Sequence, residues 1–108
     1  MITSRPVPQL NIDAEQIAAF CEKWGIAELS VFGSVLRDDF GPDSDIDVLV
    51  LMQPDADLTF ARWDQMESEL SELTGRPVDL IFKDAIQKSL NWIRRREILS
   101  TARVIYAA

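Results

Sequence analysis

With 108 residues, 47% of them apolar and 27% charged, the chain has the size and composition of one folded domain with a single core. A formal net charge of −7 argues against a general nucleic-acid binder, whose electrostatic footprint would be basic. The sequence has no histidine, which removes serine–histidine and cysteine–histidine catalysis and disfavours zinc, so any chemistry must run on carboxylates, hydroxyls, backbone dipoles and a hard metal.

Residues 1–10 carry Pro6 and Pro8 without periodicity and read as a flexible N-terminal tail, with residues 11–108 as one domain. No stretch approaches the ~18 apolar residues of a membrane span, and the first residues lack a signal peptide's apolar core. The lone Cys21 excludes an internal disulfide, so the expectation is a cytoplasmic protein without membrane attachment. A helix capped by Asn11 or Asp13 should run to about Trp24 and stop at Gly25, with Ile17, Phe20, Cys21 and Trp24 on its buried side. That spacing makes Cys21 an inert core thiol.

Glu28 to Phe32 reads as a strand ending in Gly33-Ser34, followed by a short helix from Ser34 to about Asp39 and a Gly41-Pro42 turn. Asp45 to Met52 is a second strand. A long helix follows from about Leu58 to Leu73, ended by Gly75, with Phe60, Trp63, Met66, Leu70 and Leu73 as its core stripe. Asp64, Glu67, Glu69 and Glu72 lie largely outside that stripe and read as a solubilising face. Pro77 opens a third strand, Val78 to Phe82. Asp84 caps a helical region from Ala85 to about Ser100 with a break near Asn91, and Arg103 to Tyr106 forms a short last strand. The order indicates an α/β (α+β) fold with a sheet of three or four strands flanked by helices.

Two carboxylates interrupt this pattern where the core begins. Asp45 and Asp47 precede and enter the apolar run Val48-Leu49-Val50-Leu51-Met52, although Asp is depleted in strands and rarely buried without a partner. Strand alternation puts both on one face, about 7 Å apart. Like charges this close repel unless a cation sits between them, and hard cations such as Mg²⁺ take oxygen ligands. Asp79 likewise interrupts the third strand, between Val78 and Leu80, and completes a triad if that strand lies beside the second. Gly33-Ser34, at a strand-to-helix turn, offers backbone N–H groups, close approach and a hydroxyl to an anion. Arg37, about one helical turn on, either reaches a phosphate or pairs with Asp38, Asp39 or Asp43.

Gly33-Ser34, ten residues, then Asp45-Ile46-Asp47 resembles the signature of the DNA polymerase β-like nucleotidyltransferase superfamily. The longer string from Phe32 to Arg37, with Pro42 to Val50, is similar to its minimal members, the antitoxins commonly encoded beside HEPN-domain toxins. The resemblance implies a polymerase β-like fold with a small mixed sheet. It further implies that Gly33, Ser34 and Arg37 bind the nucleoside triphosphate, that Asp45, Asp47 and Asp79 are catalytic and ligate Mg²⁺ (two ions), and that Asp79 helps activate the attacking hydroxyl. The expected reaction is transfer of AMP from ATP to a hydroxyl, a tyrosine, of a partner HEPN toxin. Asp38 departs from the glycine these proteins often carry and adds a negative charge beside the seat, an expectation of weaker nucleotide binding. Two alternatives stand beside this one: a non-catalytic antitoxin that occludes its partner, and a small-molecule (antibiotic) nucleotidyltransferase. Trp92, Arg94, Arg95, Arg96 and Tyr106 are candidate partner contacts, with a buried Trp92 and solvated arginines as the plainer reading.

Overall fold

A computed structural model describes residues 13–33, 44–56 and 58–108. Asp13 opens it as a helix cap, its side chain accepting from the Glu15 N–H at 2.9 Å. Helix α1 (Ala14–Trp24) ends where Gly25 adopts φ +73°, a left-handed conformation that L side chains rarely enter. Two edge strands enclose an antiparallel pair in a four-stranded mixed sheet. Strand β1 (Ile26–Phe32) pairs antiparallel with β2 (Ile46–Met52) and with β4 (Arg103–Ala107). Strand β3 (Val78–Phe82) runs parallel to β2, and the connection between them is helix α2 (Phe60–Thr74), as a parallel crossover requires. Helices α3 (Lys83–Gln87) and α4 (Trp92–Thr101) follow β3.

Alternation along the strands sorts the apolar side chains to two faces. On one, Leu29, Val31, Ile46, Val48 and Val50 pack with Ile17, Cys21 and Trp24 of α1 and with Met66 and Leu70 of α2. On the other, Phe32 and Leu49 pack with Ile86 of α3 and Ile98 of α4. Cys21 is fully buried in the first cluster, and burial, with Glu22 nearby, pushes its thiol pKa up to about 12, the inert core thiol its spacing indicates.

The chain order read from the sequence holds, with differences that have physical causes. β1 begins two residues earlier than expected, at Ile26, because Gly25 turns the chain directly into the sheet. α2 starts at Phe60, since the Thr59 hydroxyl caps it by accepting from the Arg62 N–H. Phe60 is then the first helical residue and is 94% exposed, not part of the core stripe. Asp84 lies within the first turn of α3, not at its cap, and the cap near the expected break is Asn91, whose side chain accepts from the Arg94 N–H. Tyr106 is buried in the main core and is no surface contact, whereas Trp92 is 58% exposed and is not core. Among the described residues no helix is long and apolar enough to cross a membrane. The expected tail over residues 1–10, the short helix from Ser34 and the Gly41-Pro42 turn lie outside the described residues.

Candidate functional site

One row across the sheet brings the site together. Phe32 is the register partner of Asp47, and Asp47 is the register partner of Asp79. Neighbouring strands are about 4.8 Å apart, so these two carboxylate-bearing residues stand side by side on adjacent strands. The condition set by the sequence, that the third strand lie beside the second, is met. Gly33 follows Phe32 with φ +77°, and a Cβ placed there would run into the Asp47 Oδ2 oxygen. The main chain at Gly33 therefore lies directly against the Asp47 carboxylate, a closeness that only glycine permits.

Hydrogen bonds outside the strand ladders hold this row. The Ile46 N–H donates to the Pro77 carbonyl at 2.9 Å, and an Arg76 guanidinium N–H reaches the Ser44 carbonyl at 3.4 Å, which ties the entrance of β2 to that of β3. β3 is an edge strand, and α2 covers its outward donors. The Val78 N–H donates to the Ser71 hydroxyl and the Leu80 N–H to Glu67 Oε2, each at 3.2 Å. Asp79 sits between these two anchored residues, so α2 fixes the strand that presents it. Glu67 is thus a latch on the site's edge strand, and reading it as part of a solubilising face is corrected. Glu69 is corrected for a similar reason. It takes a 2.8 Å ion pair from Lys23 and a hydrogen bond from the Trp24 indole N–H, and the Lys23 bond holds its carboxyl below the ordinary range.

Asp47 and Asp79 line a cleft of about 620 Å³ together with Phe32, Gly33 and Ile81. The opposite wall comes from α4 and β4: Arg94, Glu97, Ile98 and Thr101 recur at helical spacing along one side of α4, and Arg103 opens β4. Ile98 is buried against Phe32 and Leu49, which seats that side of α4 over the cleft. Of the three consecutive arginines, the one brought to the carboxylates is Arg94; Arg95 is engaged with the Ser89 carbonyl at 3.0 Å. The sequence marks Arg94 only as a candidate partner contact and Arg103 only as the start of the last strand; the signal that could have placed Arg94 is the Arg94/Glu97/Ile98/Thr101 spacing. Asp45 directly precedes β2, is exposed, and is not among the residues lining the cleft. Ser34 and Arg37 lie outside the described residues.

Among the described residues no three carboxylate or thiol groups converge into a ready metal-ligand set. The expected triad of Asp45, Asp47 and Asp79 is thus not assembled here, and the pair brought together is Asp47 with Asp79; Mg²⁺ is usually held by one or two carboxylates together with substrate phosphates and waters. The donor set fits such an ion: oxygen ligands only, two carboxylates at one register position, and a main chain at Gly33 pressed so close to Asp47 that an anion seated there would need a cation between them.

Residues 14–105 match the family model described as the nucleotidyltransferase domain. The chain is 32% identical over 78 residues to the protein adenylyltransferase MntA of Thermococcus cleftensis, spanning 72% of this chain and 77% of that protein. A solved structure assigned to the minimal nucleotidyltransferases superposes with a TM-score of 0.63 at 27% identity, over 83% of this chain and 86% of that one. A crystal structure of a toxin–antitoxin with AMP-PNP shares the fold, with a TM-score of 0.65 at 15% identity over 90% of this chain and 75% of that one.

Proposed function

The chain belongs to the nucleotidyltransferase domain family, and we propose that it transfers AMP from ATP, with Mg²⁺, to a tyrosine hydroxyl of a HEPN-domain toxin and so acts in the cytoplasm as that toxin's antitoxin. The single observation that carries this reading is the pairing of Asp47 with Asp79 at one register position beside Gly33. Two acids held side by side are costly unless their charge is used, and phosphoryl-transfer sites use it to bind metal and to position the attacking oxygen. The toxin partner is supported by the likeness to toxin–antitoxin complexes, and a protein acceptor by the name of the Thermococcus relative.

The residues divide the work by position. Asp47, Asp79 and Asp45 at the entrance of β2 would hold the metal, which supplies charge neutralisation for the reacting phosphate. Asp79, on the edge strand, would accept the proton of the acceptor's hydroxyl. Gly33 would admit a phosphate to the main chain, and Ser34 and Arg37, outside the described residues, are assigned to nucleotide binding on their sequence motif alone. Exposed Leu90, between α3 and α4, and exposed Trp92 and Ile93, which open α4, offer apolar area for docking the partner.

The test is a transfer assay with labelled ATP, Mg²⁺ and the purified toxin, paired with co-expression in cells. Label should appear on the toxin, disappear with chelator, and be absent for the Asp45→Asn, Asp47→Asn double variant, which should still co-purify with the toxin yet fail to protect cells. Full labelling in chelator defeats the metal assignment. Protection by a double variant that transfers nothing means neutralisation by occlusion and ends the catalytic reading.

A further inference from the structure

The wall opposite Asp47 and Asp79 carries two arginines, Arg94 and Arg103, together with Glu97. Arg94 stands on the side of α4 that Ile98 anchors to the sheet, and Arg103 is the first residue of β4, register partner of Val31. Val31 is two residues before Gly33, so Arg103 lies at the end of the sheet where the main chain opens for a close approach. Asp79 stands on the far edge strand, β3. Among the described residues neither guanidinium enters an ion pair, while Lys23 and Lys83 are committed to Glu69 and Glu28 at 2.8 and 2.7 Å. The described lining holds three carboxylates, Asp47, Asp79 and Glu97, against these two arginines, so the arginines are the cationic groups there that an anion can meet. Guanidinium forks match phosphate oxygens in pairs.

We propose that Arg94 and Arg103 form a polyphosphate subsite that holds the β- and γ-phosphates of the nucleoside triphosphate, on the Gly33 side of the carboxylate pair. This rests on the nucleotidyl-transfer reading and adds to it where the leaving group sits. In that reaction the acceptor oxygen forms a bond to the α-phosphorus and the bond from that phosphorus to the α,β-bridging oxygen breaks. The electron pair stays on the bridging oxygen, pyrophosphate leaves with it, and the acceptor's proton passes to a carboxylate. Negative charge therefore grows on the pyrophosphate as the bond breaks, and two guanidiniums beside it favour that charge distribution. An acidic segment of the acceptor is the competing occupant. It is disfavoured because Arg103 lies toward Gly33 and not toward β3.

The experiment measures binding of a non-hydrolysable ATP analogue, pyrophosphate and AMP by calorimetry with Mg²⁺ present, using the full chain. Arg94→Gln and Arg103→Gln should each weaken the analogue and pyrophosphate about tenfold, the size expected for a lost charge-assisted contact, and AMP about twofold or less. Arg96→Gln removes the same charge from the exposed part of α4 and should change none of the three. Toxin co-purification and the thermal midpoint should match the wild type, and Arg94→Lys should recover part of the loss. Equal weakening by Arg96→Gln would reduce the effect to net charge and overturn the subsite. So would unchanged analogue binding by both cleft variants, including the case where they instead lose the toxin, which would assign the arginines to the acceptor. A wild type that binds neither analogue nor pyrophosphate overturns the transfer reading itself, which separates that failure from this one.

Discussion

The two faces of the sheet are built from the same strands and do opposite things. The face under α1 and α2 is closed: Leu29, Val31, Val48, Val50, Met66 and Leu70 are buried together with Cys21. The face under α3 and α4 has only a small cluster around Phe32, Leu49, Ile86 and Ile98, and past Phe32 its end opens into the cleft of Asp47 and Asp79. The difference comes from strand alternation, which sends Ile46 and Val48 to one side and Asp47 to the other. One face therefore supplies the rigidity with which the other holds two carboxylates that repel. Stability and chemistry are separated by a single peptide step.

That separation can be broken most sharply at Asp47. Asp47→Asn should abolish AMP transfer in the labelling assay, a loss of about 10³-fold or more for a ligand to a catalytic cation, while urea denaturation moves by no more than ~1 kcal/mol. Retained transfer with a marked fall in stability would make Asp47 a structural residue and dissolve the contrast.

The opposite result is expected on the closed face. Leu29→Ala removes a fully buried side chain and should cost about 2–5 kcal/mol by urea denaturation. Ile98→Ala, in the smaller cluster at the open face, should cost less, because it can collapse toward solvent. Equal costs would mean the two faces share the stability evenly.

Gly33→Ala tests the seam between the faces. The left-handed φ of +77° adds about 1–2 kcal/mol of backbone cost, and the new methyl must displace the Asp47 carboxylate. We expect a midpoint shift of that size in denaturation together with loss of transfer, the joint effect that neither Asp47→Asn nor Leu29→Ala shows alone.

The smallest effect concerns the seam between α1 and α2. Lys23 and the Trp24 indole hold the Glu69 carboxyl below its ordinary range. A depressed folded pKa contributes stability above the ordinary carboxylate range, near 4.5, and that contribution fades as pH falls through the folded value. Glu69→Gln should thus lose about 0.2–1 kcal/mol at pH 7, as partly exposed ion pairs do, and the gap to the wild type should shrink below pH 4.5 in denaturation curves taken across that range. A gap that widens in acid would reverse the assignment.

How far the sequence could go is set by which forces act locally. Asp13, Gly25 and Gly75 bound the helices through bonds to residues a few positions away, and apolar spacing assigns Ile17, Cys21, Met66 and Leu70 to the core, so these features are legible from a string of residues. The Gly33-Ser34 and Asp45-Ile46-Asp47 spacing was legible for the same reason, as was the oddity of Asp79 in an apolar strand. Strand pairing is not local. Only the tertiary structure decided that β3 lies parallel beside β2, which puts Asp79 next to Asp47 and leaves Asp45 at the cleft's margin. Nor could spacing tell that Glu67 would latch the Leu80 N–H, that Phe60 would be left exposed, or that Tyr106 would be buried. Each depends on where an element ends relative to a neighbour distant in sequence. Arg94 and Arg103 come to the carboxylates through the docking of α4 by Ile98 and the antiparallel return of β4, contacts between segments some forty residues or more from β2, which no local pattern encodes.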